Sequence, residues 1–149
     1  MENSVYEELL KFKRYGGTVG WRLKKHAAII EKHLNDGEKV LYAFYAQRND
    51  SITDIISTCA IALTNKRLLI GQKRLLFGYH FISITPDMFN DLTVHTGIIW
   101  AKVYIDTIKE VVKLSNISKR GVTEIETKIT EYMMKEKKKY PPREQKSHS

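Results

Sequence analysis

Apolar positions along the chain follow two different periods, and the change falls near residue 36. Before it, Val5, Leu9 and Phe12 recur at i, i+4 and i+7, joined by Tyr6 and Leu10. That spacing puts them on one face of a helix. Ser4 with Glu7 three residues later forms a capping box, so the pattern predicts a helix over 4–15 that ends at Gly16-Gly17. Leu23, Ala27, Ile30 and Leu34 repeat the spacing, with Trp21 as a large anchor. This predicts a second helix over 19–34, closed by Asn35-Asp36-Gly37.

From Glu38 the signal is short apolar runs between turn residues. Strands are predicted over 38–47, 55–63, 67–72, 79–84, 89–95, 98–106 and 108–114. The clearest pair is Ile61-Ala62-Leu63 and Leu68-Leu69-Ile70, joined by Thr64-Asn65-Lys66-Arg67. Asn65 is the expected left-handed pivot of that turn. In the sixth strand, Trp100, Lys102, Tyr104 and Asp106 alternate with Ala101, Val103 and Ile105, the mark of a half-buried sheet face. A hairpin about Thr96-Gly97 joins it to the fifth. Ser115-Asn116-Ile117 reads as a break before a last helix, which Thr123 and Glu126 would cap. Its stripe is Ile125, Ile129, Tyr132 and Met133. Seven short strands at these spacings predict a small barrel or sandwich.

At 149 residues, 42% hydrophobic and 28% charged, the chain has the size and composition of one folded domain. Its longest apolar run, 55–63, falls far short of the ~20 residues a membrane-spanning helix needs. Met1-Glu2-Asn3-Ser4 lacks the basic-then-apolar opening of a secretory leader. The lone Cys59 has no partner for an internal disulfide and reads as a small buried hydrophobe. These features predict a reducing, cytoplasmic setting, with peripheral attachment to a membrane as the further expectation.

Charge divides the chain further. The formal net charge is +8. Residues 11–33 carry seven Lys and Arg against one Glu, residues 34–134 are nearly balanced, and residues 135–149 carry six against two. Attraction to an anionic surface would therefore come from the flanks. The basic flank Lys11, Lys13, Arg14, Arg22, Lys24 and Lys25 interleaves with Phe12, Tyr15 and Trp21. It could lie on an anionic membrane with rings at headgroup depth, follow a nucleic-acid backbone, or be the solvated face of packed helices. No nucleic-acid motif accompanies it, so nucleic acid ranks lowest. Lys73 and Arg74 precede Leu75-Leu76-Phe77. That segment is either an apolar tip for a membrane or partner, or a core turn folded under the last helix. Lys66-Arg67 reads as turn chemistry in preference to a phosphate patch.

Catalytic and cofactor signatures are missing. There is no GxGxxG, GxxxxGK[ST] or HExxH. His26 and His33 stand seven apart without completing ligands, so they are expected on the surface, and His80 and His95 sit alone in strands. The expectation is a chain with no catalytic set, metal or cofactor.

Seven antiparallel strands followed by one amphipathic helix is the order of a pleckstrin-homology (PH) barrel. Gly37-Glu38-Lys39-Val40-Leu41 and, above all, Ile61-Ala62-Leu63-Thr64-Asn65-Lys66-Arg67-Leu68-Leu69-Ile70 resemble the bacterial PH-like families, in particular the YokE-like group. Ile82-Ser83-Ile84, Asp91-Leu92-Thr93-Val94 and the turn at Gly97 fit more loosely. The resemblance implies a mainly β fold with α, a seven-stranded antiparallel barrel capped by its C-terminal helix and preceded here by two N-terminal helices. With it the expected division is a helical extension at 1–35, a PH-like domain at 36–138 and, from the Lys-rich composition with Pro141-Pro142, a disordered basic tail at 139–149. It also implies an interaction role: binding a protein partner or a second copy, with anionic membrane association through the basic aromatic flanks as the alternative. Specific phosphoinositide recognition is disfavoured, because Asp50 and Asp54 flank Arg48 where such domains gather cations.

Overall fold

The computed structural model describes residues 4–15, 22–48 and 57–142. Expectations for Gly16-Gly17, Trp21, Asp50, Asp54, the start of the second strand and the end of the tail lie outside these residues. Helix α1 spans Val5–Phe12 and runs into a 3-10 turn, Lys13–Tyr15; α2 spans Leu23–Glu31. Then come β1 (Val40–Arg48), β2 (Thr58–Thr64), β3 (Leu68–Lys73), β4 (Tyr79–Ile84), β5 (Phe89–Thr96), β6 (Trp100–Thr107) and β7 (Val111–Ser118), followed by α3 (Lys119–Lys137). The strands form one antiparallel sheet in the order β4-β3-β2-β1-β7-β6-β5, curled into a half-barrel. A Pro86–Met88 3-10 turn makes the corner between β4 and β5.

Burial explains the two kinds of strand. β2 is buried at every position, and β1 and β3 nearly so. Such strands read as continuous apolar runs because both faces are covered. α1 packs on β1 and α2 on β3, while the stripe Ile125, Ile129 and Met133 of α3 is buried in the same core. β6 alternates, with Ala101, Val103 and Ile105 inside and Trp100 and Asp106 outside.

The turn after β2 is built differently from the expectation. Asn65 is not left-handed; Arg22 and Asn116 are the non-glycine described residues with positive φ. Thr64 closes the turn instead. Its Oγ1 accepts from the Lys66 and Arg67 amides, both at 3.1 Å, and donates to Glu38 Oε2 at 2.6 Å. The side chain of Asn65 reaches back to the start of β1, accepting from Lys39 N–H at 2.8 Å and donating to Gly37 O at 3.3 Å. Arg67 completes the cluster. Its Nε and Nη2 meet the Glu38 carboxylate at 3.0 and 3.1 Å, Nη1 donates to Ser83 Oγ, and Nη2 also donates to His33 O. The motif thus welds β1, the β2–β3 turn, β4 and the end of α2 around one buried carboxylate.

β7 is longer than expected. It continues through Ser115 and Asn116, which together oppose Lys102 as a bulge between Ala101↔Ile117 and Val103↔Leu114. Asn116 takes the left-handed conformation at φ 58 and donates to Gln47 Oε1 at 2.7 Å. α3 follows directly, with Ser118 as its cap, so Thr123 and Glu126 lie inside the helix. α2 begins after a left-handed Arg22 and ends at Glu31, short of Leu34. The histidine expectation is also corrected. His26 is buried, its Nδ1 accepting from Lys73 N–H at 2.8 Å, and His33 is half-buried, stacked on Phe81 at 3.9 Å.

Both N-terminal helices pack as part of the core. Val5, Leu9 and Phe12 of α1 and Leu23, Ala27 and Ile30 of α2 join the main apolar cluster. Ser4 caps α1 as expected, accepting from Glu7 N–H at 3.1 Å. Glycine allows two close approaches. A Cβ on Gly71 would meet Ile30 Cγ1 at 2.7 Å, and one on Gly121 would meet Phe12 Cζ at 2.8 Å and Tyr15 Cδ2 at 2.9 Å.

Removing Glu38 strands the Arg67 charge in a mostly buried position, so Glu38→Ala is expected to cost about 3–5 kcal/mol in urea unfolding. The acid dependence has a definite sign. Burial pushes Glu38 up, but hydrogen bonds from Arg67, Thr64 and the Asn35 amide, with the Arg67 charge, leave it below its ordinary value of about 4.5. Its contribution is therefore present above that value and is lost as pH falls through the lower folded value. Glu38→Gln should flatten the acid limb of the stability profile.

Candidate surface corners of the domain

The structure separates the candidate contact residues into two corners. The first lies at the β3–β4 turn. Lys73 ends β3 half-buried, held by its amide to His26; Arg74 follows, exposed, its amide bonded to Gly78 O at 3.1 Å. Gly78, with φ 72, lets the chain reverse. Between them Leu75, Leu76 and Phe77 project outward, Leu76 79% and Phe77 82% exposed. The core-turn reading of this segment is thereby overturned: the space under α3 is already filled by Ile125, Ile129 and Met133. Arg22 donates from Nη1 to Arg74 O at 3.4 Å, which brings the first turn of α2, with exposed Lys24 and Lys25, beside the tip. Partial burial first, then the charges of Arg48 and Arg74, hold the His80 imidazole below its usual value. Arg48 and Arg74 thus act on the same neighbourhood.

The second corner receives the end of α1. Arg14 binds the Glu124 carboxylate on α3 through Nη2 at 2.8 and 2.9 Å, and Tyr15 hydroxyl also donates to Glu124. Ser118 Oγ donates to Tyr15 O at 2.8 Å. Lys11 is exposed and paired with Glu8 in its own helix; Lys13 is exposed. The flank is therefore not one basic surface. Arg14 serves the packing of α1 on α3, whereas Arg22, Lys24, Lys25, Lys73, Arg74, Leu76 and Phe77 gather at the β3–β4 corner. Lys66 is exposed, but Arg67 is committed to Glu38 and leaves no phosphate patch at that turn.

One apolar feature was missed from the sequence. Ile98 and Ile99 lie in the β5–β6 turn, not in β6, and the turn exposes them along with Trp100. The available signal was three consecutive apolar residues after Gly97, which break the alternation of the strand that follows.

Among the described residues no three His, Cys, Asp or Glu are placed to hold a metal ion, and no described helix is long and apolar enough to cross a membrane. A groove of about 390 Å³ on the outer face of β5–β7 is lined by His95, Trp100, Lys102, Tyr104 and Asn116.

A curled seven-stranded antiparallel sheet followed by a C-terminal helix defines a PH-like domain. The chain belongs to the bacterial PH domain family, whose model matches residues 34–131. The match does not single out the YokE-like group, and it leaves out α1 and α2. Among solved structures, a pleckstrin homology domain from Shewanella amazonensis SB2B is similar at 24% identity, with TM-score 0.51 over 75% of this chain and 98% of the other. A DUF1696 family protein with a pleckstrin-homology domain, from Shewanella loihica PV-4, is 18% identical, with TM-score 0.48 over 75% and 97%. No curated protein matches the chain.

Cys59 lies fully buried in β2, and burial pushes its thiol up to about 12. The native protein should resist a thiol reagent at pH 8 on a timescale at which guanidinium-unfolded protein reacts completely.

Proposed function

We propose that this chain is a non-catalytic interaction domain that rests on an anionic membrane surface through its β3–β4 corner. One observation carries the reading: Leu76 and Phe77 stand almost fully exposed on a convex turn, with Arg22, Lys73 and Arg74 around it. An apolar tip on a cationic shoulder matches a bilayer in both layers, acyl chains for the tip and headgroup phosphates for the shoulder. Three cations at about 1 kcal/mol each, with two apolar side chains at about 1.5–3 kcal/mol each, give roughly 6–9 kcal/mol before ordering costs. Taken gross, that range corresponds to about 40 to 0.3 μM, and ordering costs weaken it further. Neither half alone would hold the protein at a surface. A reducing, cytoplasmic site of action accords with the buried free thiol.

A second reading has its own observation. β4 and β5 end the sheet, each with one neighbouring strand. An extended segment of a protein partner or a second copy could pair with either edge.

Sedimentation with phosphatidylcholine vesicles containing about a third phosphatidylglycerol separates the two. The membrane reading expects binding that weakens with salt, falls about tenfold or more in Leu76→Ser/Phe77→Ser, and falls again in Lys73→Glu/Arg74→Glu. Equal binding to neutral vesicles would contradict the role given to the cations, and no vesicle binding with a dimer by light scattering would favour the edge-strand reading instead.

A further inference from the structure

β6 lies between β5 and β7, and its outward positions form a row. Trp100, Lys102 and Tyr104 share the outer face at two-residue spacing, so the cation stands about 7 Å along the strand from each ring-bearing position. Strand pairing supplies the sides of this row. His95 of β5 lies opposite Lys102, and its ring meets that of Tyr104 at 4.9 Å. Lys113 of β7 lies opposite Tyr104, with Nζ 5.6 Å from the ring centroid. Across β7 from Lys102 stand the two residues of the bulge, Ser115 and Asn116.

The bulge is the telling feature. A regular ladder needs neither the extra residue nor a left-handed asparagine, and β7 has both, with Asn116 at φ 58. Bulges re-aim the side chains around them. Here Gln47 Oε1 holds the Asn116 amide from beneath, accepting from Nδ2 at 2.7 Å, and Asn116 is only 9% exposed. These residues, with Thr96 and Gly97, line the groove of about 390 Å³ on this face. That volume suits one small molecule. Its described lining offers three rings, hydroxyl and amide groups and one cation, but no carboxylate; Asp106, next in the row, lies beyond it.

We propose that this groove binds a small planar ring carrying one anionic group, the chemistry of a nucleoside monophosphate. Trp100 offers the ring face, since it is 40% exposed at the open end of the row, while His95 and Lys113 brace Tyr104 as the opposite wall. Lys102 receives the anion between them, about 7 Å from Trp100 along the strand, a distance that one sugar bridges. Asn116 and Thr96 add polar groups to the wall. A neutral sugar would use the rings and leave the cation unanswered. Inorganic phosphate would use the cation and leave the rings in water. The groove shares no residue with the β3–β4 corner, so this inference stands apart from the membrane reading.

The protein has two tryptophans, so Trp21→Phe makes Trp100 the sole indole reporter. Adenosine monophosphate should quench its emission saturably at millimolar concentration or below. Adenosine and ribose phosphate, which each keep half of the chemistry, should bind roughly tenfold more weakly. Lys102→Met should remove the preference for the nucleotide over adenosine and leave adenosine binding as it was. Followed by calorimetry, Trp100→Leu should weaken nucleotide binding roughly tenfold at an unchanged thermal midpoint. No saturable quenching by the nucleotide, equal binding of ribose phosphate, or an undiminished nucleotide preference in Lys102→Met would each overturn the proposal. A lowered midpoint in Trp100→Leu passes the decision to Lys102→Met, whose side chain keeps its length and loses only its charge.

Discussion

Phe12 packs where the sheet does not close. β1 and β7 pair only at Gln47↔Ser115 and Arg48↔Leu114, so most of β1 lacks a strand neighbour on that side. The ring of Phe12 stands there among Tyr42, Phe44 and Tyr45 of β1, at centroid distances of 6.4, 5.9 and 5.6 Å. On its other side it meets α3 at Gly121, close enough that a Cβ there would collide with it. Aromatic rings packed edge-to-face and tilted in this way bury large areas and resist sliding. A half-barrel with such a gap would otherwise leave apolar strand surface in water, which is why a helix outside the family match belongs to the core of this chain.

That packing also decides what the surface can do. Once Phe12 seats α1, Tyr15 meets Ser118 and Glu124 at the junction of β7 and α3. α2, seated over Gly71, delivers His26 to the Lys73 amide and Arg22 to the Arg74 carbonyl. The two helices act as braces: α1 ends at one corner and α2 begins at the other, each beside exposed apolar side chains. Leu75, Leu76 and Phe77, in the turn between β3 and β4, remain outside the core that the three helices cover.

The parts of this account legible in the sequence were those governed by period. Helical spacing located α1, α2 and the buried stripe of α3, and apolar runs between turn residues located seven strands. What period cannot show is which polar group answers which. Asn65 looked like a backbone pivot, but its work is done by side-chain bonds to Gly37 and Lys39, 28 and 26 positions earlier. Glu38 looked like the start of a strand and is the buried anchor of Arg67. Ser115-Asn116 carried the composition of a loop, yet Gln47 satisfies both and the strand runs on. Thr123 and Glu126 matched a cap motif, but Ser118 claims the helix start because β7 delivers it there. The first three misses each involve a partner far along the chain. The corners were half legible. Leu75-Leu76-Phe77 was visible as an apolar segment of undecided fate, while Ile98 and Ile99 were absorbed into a strand because a turn of isoleucines runs against ordinary turn chemistry.

The contact between Phe12 and Gly121 can be tested by the sign of one substitution. Helix propensity alone says that Gly121→Ala should stabilise the protein by about 0.5–1 kcal/mol. Collision of the new methyl with the Phe12 and Tyr15 rings says the opposite, about 1–3 kcal/mol of destabilisation. Equilibrium urea unfolding of the full chain is expected to show a lower midpoint for Gly121→Ala than for the parent. A midpoint equal to or above the parent's would contradict the claim that α1 is wedged between β1 and α3.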